Sequence, residues 1–106
     1  MTLDELFDKL PGALNAQAAA GVDATVQFNN QVPRHVVIRD GVATVNDGQA
    51  SPYTVGITMS DDDLVALLTG DLDGMTAFMT GRIKLDGDLM FAQRIGSLFD
   101  GSKLKA

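Results

Sequence analysis

Residues 24–45 read ATVQFNNQVPRHVVIRDGVATV, and the period of this stretch decides the fold. It is two: Ala24, Val26 and Phe28 fall on one side of an extended chain, and Thr25, Gln27 and Asn29 on the other. A turn at Asn29 to Pro33 follows, after which Arg34, Val36 and Ile38 alternate with His35, Val37 and Arg39. Asp40-Gly41 is a tight hairpin signal, and Val42 to Val45 returns, so the spacing predicts a meander of three strands.

Beyond the polar Asn46 to Pro52 loop, Tyr53, Val55, Ile57 and Met59 alternate with Thr54, Gly56 and Thr58, which predicts a fourth strand. The period then changes. Ser60 is an N-cap, three aspartates suit the helix dipole, and Leu64, Val65, Leu67 and Leu68 form an apolar stripe that stops at Gly70. Asp73-Gly74 opens a second short helix carrying Met75, Phe78 and Met79, and Gly81 ends it. Arg82 to Asp86 alternates as a fifth strand, and a last helix runs from about Asp88 to Phe99 with an unusually wide apolar face. The tail from Gly101 to Ala106 is polar and is expected to fray.

Toward the N-terminus, Leu3, Leu6, Phe7 and Leu10 recur at helical spacing behind a capping Thr2. Pro11-Gly12 is expected to interrupt that helix, and Ala13 to Ala20 to form a second helical piece ending at Gly21. Five strands with one apolar face each, and helices with apolar stripes to cover them, make an α+β layer architecture.

The whole chain sets the bounds. It has 106 residues, 14 Asp plus Glu against 8 Lys plus Arg, net charge −6, and no cysteine. That length holds one domain, expected over residues 1–100 with a flexible tail at 101–106, and one core with room for one internal pocket. The acidic field repels phosphate backbones, so nucleic acid is not an expected partner. Without cysteine there is no disulfide, thiolate metal site or thiol nucleophile. The N-terminus lacks the pattern of a signal peptide and no apolar run is long enough to span a bilayer, which makes the cytoplasm the expected location.

The candidate chemical groups reduce to ordinary roles. Asp61, Asp62 and Asp63 are what a helix N-terminus favours and need no metal. Asp71 and Asp73 begin a calcium-loop pattern, but Met75 stands where a third ligand belongs and Arg82 where a bidentate Glu belongs. His35, the single histidine, sits on the strand face opposite Val36 and Ile38 with no serine or acid nearby in sequence, and reads as a surface residue. No phosphate-binding glycine signature and no nucleophile elbow occurs. What remains is apolar: Met59, Met75, Met79 and Met90 accompany Phe78, Phe91 and Phe99 in the second half. Methionine fills irregular or changing space, and composition alone makes this cluster core.

The second half also resembles a known family. Ile57-Thr58-Met59-Ser60-Asp61-Asp62-Asp63-Leu64 is similar to the "ITMSDED" passage of the sterol carrier protein 2 family, and Leu68-Thr69-Gly70-Asp71-Leu72 to its "TGxL" helix end. Ala77 to Asp88 is similar to its "AFxxGKLKIKGN" run. The three matches stand in the family's order, and the earlier meander fits in pattern.

The resemblance implies a five-stranded, mostly antiparallel sheet covered on one face by helices, with an apolar tunnel between the layers. It implies a non-catalytic binder or carrier of fatty acid, acyl-CoA, sterol or a similar lipid, and no cofactor is expected. The lining expected from it is Ile57, Met59, Leu64, Leu68, Met75, Phe78, Met79, Ile83, Leu85, Met90, Phe91, Ile95 and Phe99. The partner is then a lipid or other apolar small molecule, with at most transient membrane contact, and the chain a monomer or homodimer. The alternative is an interaction or accessory module, dimeric or docked on a lipid- or quinone-metabolising enzyme, with a vestigial pocket. One departure concerns the final helix, where Gly96 stands in place of a polar family residue and only Gln93 or Ser97 offers a substitute.

Overall fold

The structure is a computed structural model in which residues 2–105 are described. In chain order the elements are α1 (Leu3–Ala13), β1 (Ala24–Phe28), β2 (Arg34–Arg39), β3 (Val42–Asp47), β4 (Val55–Thr58), α2 (Asp61–Thr69), α3 (Gly74–Met79), β5 (Lys84–Gly87), α4 (Leu89–Leu98) and α5 (Gly101–Lys105). The strands form one sheet in the order β3-β2-β1-β4-β5. Its β1/β4 pair is parallel, and the other three pairs are antiparallel.

The expected meander is β1-β2-β3, and its hairpin turns at Asp40 and Gly41 with φ of 54° and 75°. Positive φ at both central residues gives the twist that a two-residue hairpin needs. The registers align apolar side chains into rows across the sheet. Val45, Val36, Val26 and Val55 form one row, and Phe28, Ile57 and Leu85 lie in the next. This is the core face, and the helices pack on it: Leu6, Phe7, Leu10 and Ala13 of α1 are buried, with the Phe7 ring edge-on to Phe28 at 5.3 Å. Arg34 shares that face by register. Its guanidinium lies 4.8 Å over the Phe7 ring and pairs with Asp4, which is how an arginine is accommodated there.

The chain returns from β3 to β4 across the other face. There Gln27 is buried, its Oε1 accepting from the Ala50 N–H at 2.7 Å. Alternation predicts Tyr53 on the face of Val55. Instead its ring crosses Gly56 on the opposite face, where an added Cβ would sit 3.0 Å from it. The Tyr53 hydroxyl donates to Asp86 and its pKa is raised, first by that hydrogen bond.

Three expectations are corrected at the ends of the chain. First, α1 runs through Pro11 to Ala13, because Ala13 continues the buried stripe and only the last turn loses a backbone donor. Second, Ala13 to Ala20 is not a helix. Leu14 turns extended and bridges Phe99, with Asn15 N–H donating to the Leu98 carbonyl at 2.7 Å and Asp100 N–H to that of Ala13 at 2.8 Å. Residues 16–21 are turns headed by Asn15, whose Oδ1 accepts from the Gln17 and Ala18 N–H groups. Third, the expected frayed tail of residues 101–106 is α5 over residues 101–105, and Ala106 lies outside the described residues. Helix α5 packs against α1 and α2, with Leu104 fully buried. The fifth strand is β5 at 84–87, later than the expected Arg82 to Asp86.

Candidate functional site

The core thins at both edges of the sheet, where Val45 on β3 and Leu85 on β5 are half-buried. On the core face Val26, Phe28, Val55 and Ile57 are all buried, whereas Leu85, opposite Ile57 on β5, is only half-buried. The cover over the β5 edge comes from α4, while α3 begins beside Leu67 of α2. Helix α4 packs over β4 and β5 through Phe91, Ile95 and Leu98, one turn apart, after Asp88 caps it by accepting from the Phe91 N–H at 2.9 Å. Its first two residues fall outside that stripe: Leu89 and Met90 are exposed. The wide apolar face read from the sequence therefore divides into a packed stripe and an unpacked first turn.

Helix α3 is bound to the core more weakly. Of its six residues only Ala77 is buried, while Met75, Phe78 and Met79 are 71%, 55% and 78% exposed. Its ends are closed within the segment itself. Asp73 accepts from the Thr76 N–H, and the Thr80 hydroxyl donates to the Thr76 carbonyl. Gly70 and Gly81, both at positive φ, turn the chain before and after it. Seven large apolar side chains stand exposed among the described residues, and five of them lie between residues 75 and 90. Exposed apolar side chains scattered singly are ordinary, and these five are concentrated in one segment.

The expected lining thus falls into two groups. Ile57, Met59, Leu64, Leu68, Ile83, Phe91, Ile95 and Phe99 are buried in one cluster, with Leu85 packed against it. Met75, Phe78, Met79 and Met90 face solvent beside it in sequence. The expected lining omits Leu89, exposed on α4, and Ala77, buried on α3. Leu89 was legible in the breadth of the α4 apolar face; Ala77, the one buried contact of α3, carries no such signal.

Polar groups border this edge: Lys84 and Asp86 stand on β5, and the Arg94 guanidinium lies 5.9 Å over the Phe91 ring. Gln93 and Ser97 are exposed, and the Ser97 hydroxyl donates to the Arg94 carbonyl. Two open clefts lie instead beside α1 and β2, both bordered by Asp4 and Arg34, and no residue of the expected lining borders either. His35 is half-buried, its Nδ1 3.1 Å from the Gly48 carbonyl oxygen. Among the described residues no three His, Cys, Asp or Glu side chains gather as a metal site. Asp61 instead accepts a hydrogen bond from Asn30, and Ser60 caps α2 as expected.

Comparison with known proteins adds the context. The model of the SCP-2 sterol transfer family matches residues 3–100. Peroxisomal multifunctional enzyme A of Dictyostelium discoideum is 41% identical over 64 residues, which are 60% of this chain and 14% of that protein. A stereoselective inverting sec-alkylsulfatase from Pseudomonas sp. superposes with a TM-score of 0.85 at 28% identity, covering 94% of this chain and 16% of that one. Sterol Carrier Protein 2 from Aedes aegypti, solved in complex with palmitate, superposes with a TM-score of 0.62 at 21% identity over 92% of this chain and 97% of that one. The chain therefore spans a small part of the two enzymes and nearly the whole of the third protein.

Proposed function

Since this chain belongs to the SCP-2 sterol transfer family, we propose that it binds and carries an extended apolar lipid, without catalysis, between the β5 edge of the sheet and helices α3 and α4. One observation carries the reading: the segment 75–90, which flanks the half-covered Leu85, holds five exposed large apolar side chains. Bringing a Met or Phe side chain from water onto an acyl chain is worth about 1.5–3 kcal/mol each. An apolar ligand thus supplies the partner that α3 lacks. On this reading the buried group of lining residues forms the floor, and Met75, Phe78, Met79 and Met90 close over the ligand.

The energy is apolar and non-directional, so selectivity among acyl chains is loose. The palmitate complex of the Aedes aegypti protein makes a C16 fatty acid the first ligand to try. A second reading rests on the two enzymes of which the matching part is 14% and 16%. There the same exposed segment docks on a lipid-metabolising enzyme, and the pocket is vestigial.

Native mass spectrometry of the freshly purified protein, followed by organic extraction, tests the two. A bound lipid released on denaturation, or uptake of added palmitate, is the expected result. A bare protein that ignores palmitate and a panel of fluorescent fatty acids would overturn carriage in favour of docking.

A further inference from the structure

Three thioethers crowd the segment just described. Met75, Met79 and Met90 are 71%, 78% and 80% exposed, whereas Met59 is 7% exposed and part of the core. The chain has no cysteine, so no thiol competes with them for an oxidant. Sulfur reactivity at the surface of the described residues is thereby concentrated in the one region that the lipid reading requires to be apolar.

We propose that Met75, Met79 and Met90 form an oxidation-sensitive rim, at which peroxide converts thioethers to sulfoxides and releases or refuses the lipid. The step balances. A sulfur lone pair attacks one oxygen of hydrogen peroxide, the O–O bond breaks as the S–O bond forms, sulfur loses two electrons, and the proton of the transferred oxygen passes to the second, which leaves as water. The product is a polar, chiral side chain in place of a flexible apolar one. Closing a sulfoxide over an acyl chain leaves its oxygen without a hydrogen-bond donor, and desolvating such a group is costly. The change is reversible, since sulfoxide reductases with a dithiol reductant restore the thioether. Met59, shielded in the core, is an internal control within the same molecule.

The inference rests on the carriage reading, and one experiment separates their failures. The full chain is titrated with palmitate before peroxide treatment, after it, and after sulfoxide reductases and dithiothreitol. Peptide mass spectrometry counts the oxygen at each methionine, and circular dichroism follows the fold. One added oxygen is expected at each of the three rim residues before any at Met59. Palmitate affinity should fall by about tenfold or more, the size of one buried polar group without a partner, and should return on reduction. The triple variant M75L/M79L/M90L, whatever its starting affinity, should keep that affinity through peroxide.

Failure of the untreated protein to take up palmitate overturns the carriage reading and the rim with it. Uptake that survives full oxidation of the three residues overturns the rim alone. So does oxidation of Met59 at the same rate, unfolding of the oxidised protein, or a triple variant that loses affinity equally under peroxide.

Discussion

At the scale of single residues, the fold leans on positions where a side chain has no room. Gly87 holds φ at 95°, and a Cβ there would lie 2.5 Å from the Thr54 carbonyl oxygen. Gly87→Ala is therefore expected to destabilise the protein by about 2 kcal/mol or more, the left-handed strain and the clash acting together. Urea unfolding of the two proteins checks it. Met79 is the opposite case: it is exposed and touches little, so Met79→Asp should fold as the parent does. Its palmitate affinity should nevertheless drop about tenfold, because a carboxylate cannot close over an acyl chain. Unchanged affinity in a folded M79D protein would remove Met79 from the lining. At this scale composition alone reads the methionines and phenylalanines of the second half as core, and only the family resemblance makes them an expected lining. Their division into buried and exposed groups was not legible. Burial of Phe91 and exposure of Met90, its chain neighbour, are decided by which side of α4 meets β4 and β5.

At the scale of elements, period and turn chemistry are local, and what they encode was read correctly. The meander, the Asp40-Gly41 hairpin and the Ser60 cap of α2 all follow from residues within a few positions of one another. Apart from Pro11 in α1, whose reason is local, the misreadings share a cause: the deciding contact is remote in sequence. Leu14 leaves the helical path because Phe99 pairs with it, and α5 forms because α1 and α2 offer Leu104 a buried place. One leucine in a polar tail carries no periodic signal. Gly101 makes the approach feasible, since a Cβ there would lie 2.7 Å from the Thr69 carbonyl oxygen. Leu104→Ala should cost about 2–4 kcal/mol, as for other fully buried leucines. A shift in the thermal midpoint too small to resolve would mean that α5 contributes nothing to the core.

At the scale of the whole molecule, three titrating groups bear on how stability varies with pH. The Glu5 carboxyl is held below its usual range, first by the Thr2 N–H and then by the Thr2 hydroxyl. The Asp100 carboxyl is held low first by the Ser102 hydroxyl and then by its N–H. Both groups bind protons less readily folded than unfolded. Their contribution is thus present above the ordinary carboxylate range, about pH 4, and is lost as pH falls through their folded pKa values. Tyr53 is the reverse. Its pKa is raised, so its contribution is present below about pH 10 and is lost as pH rises through the folded value. Stability measured against pH should therefore decline at both ends, and Tyr53→Phe should flatten the alkaline limb alone. An alkaline limb identical in Y53F would assign that decline to other groups.

The pairing of Leu14 with Phe99 also bears on the order of events as the chain folds. The meander closes over short loops and can form early, whereas this bridge and the α5 contacts join opposite ends of the chain and wait on everything between. Contacts made after the rate-limiting step leave the speed of folding alone and act as a latch on its reversal. Leu104→Ala is accordingly expected to speed unfolding and leave the folding rate unchanged, which stopped-flow kinetics in urea check.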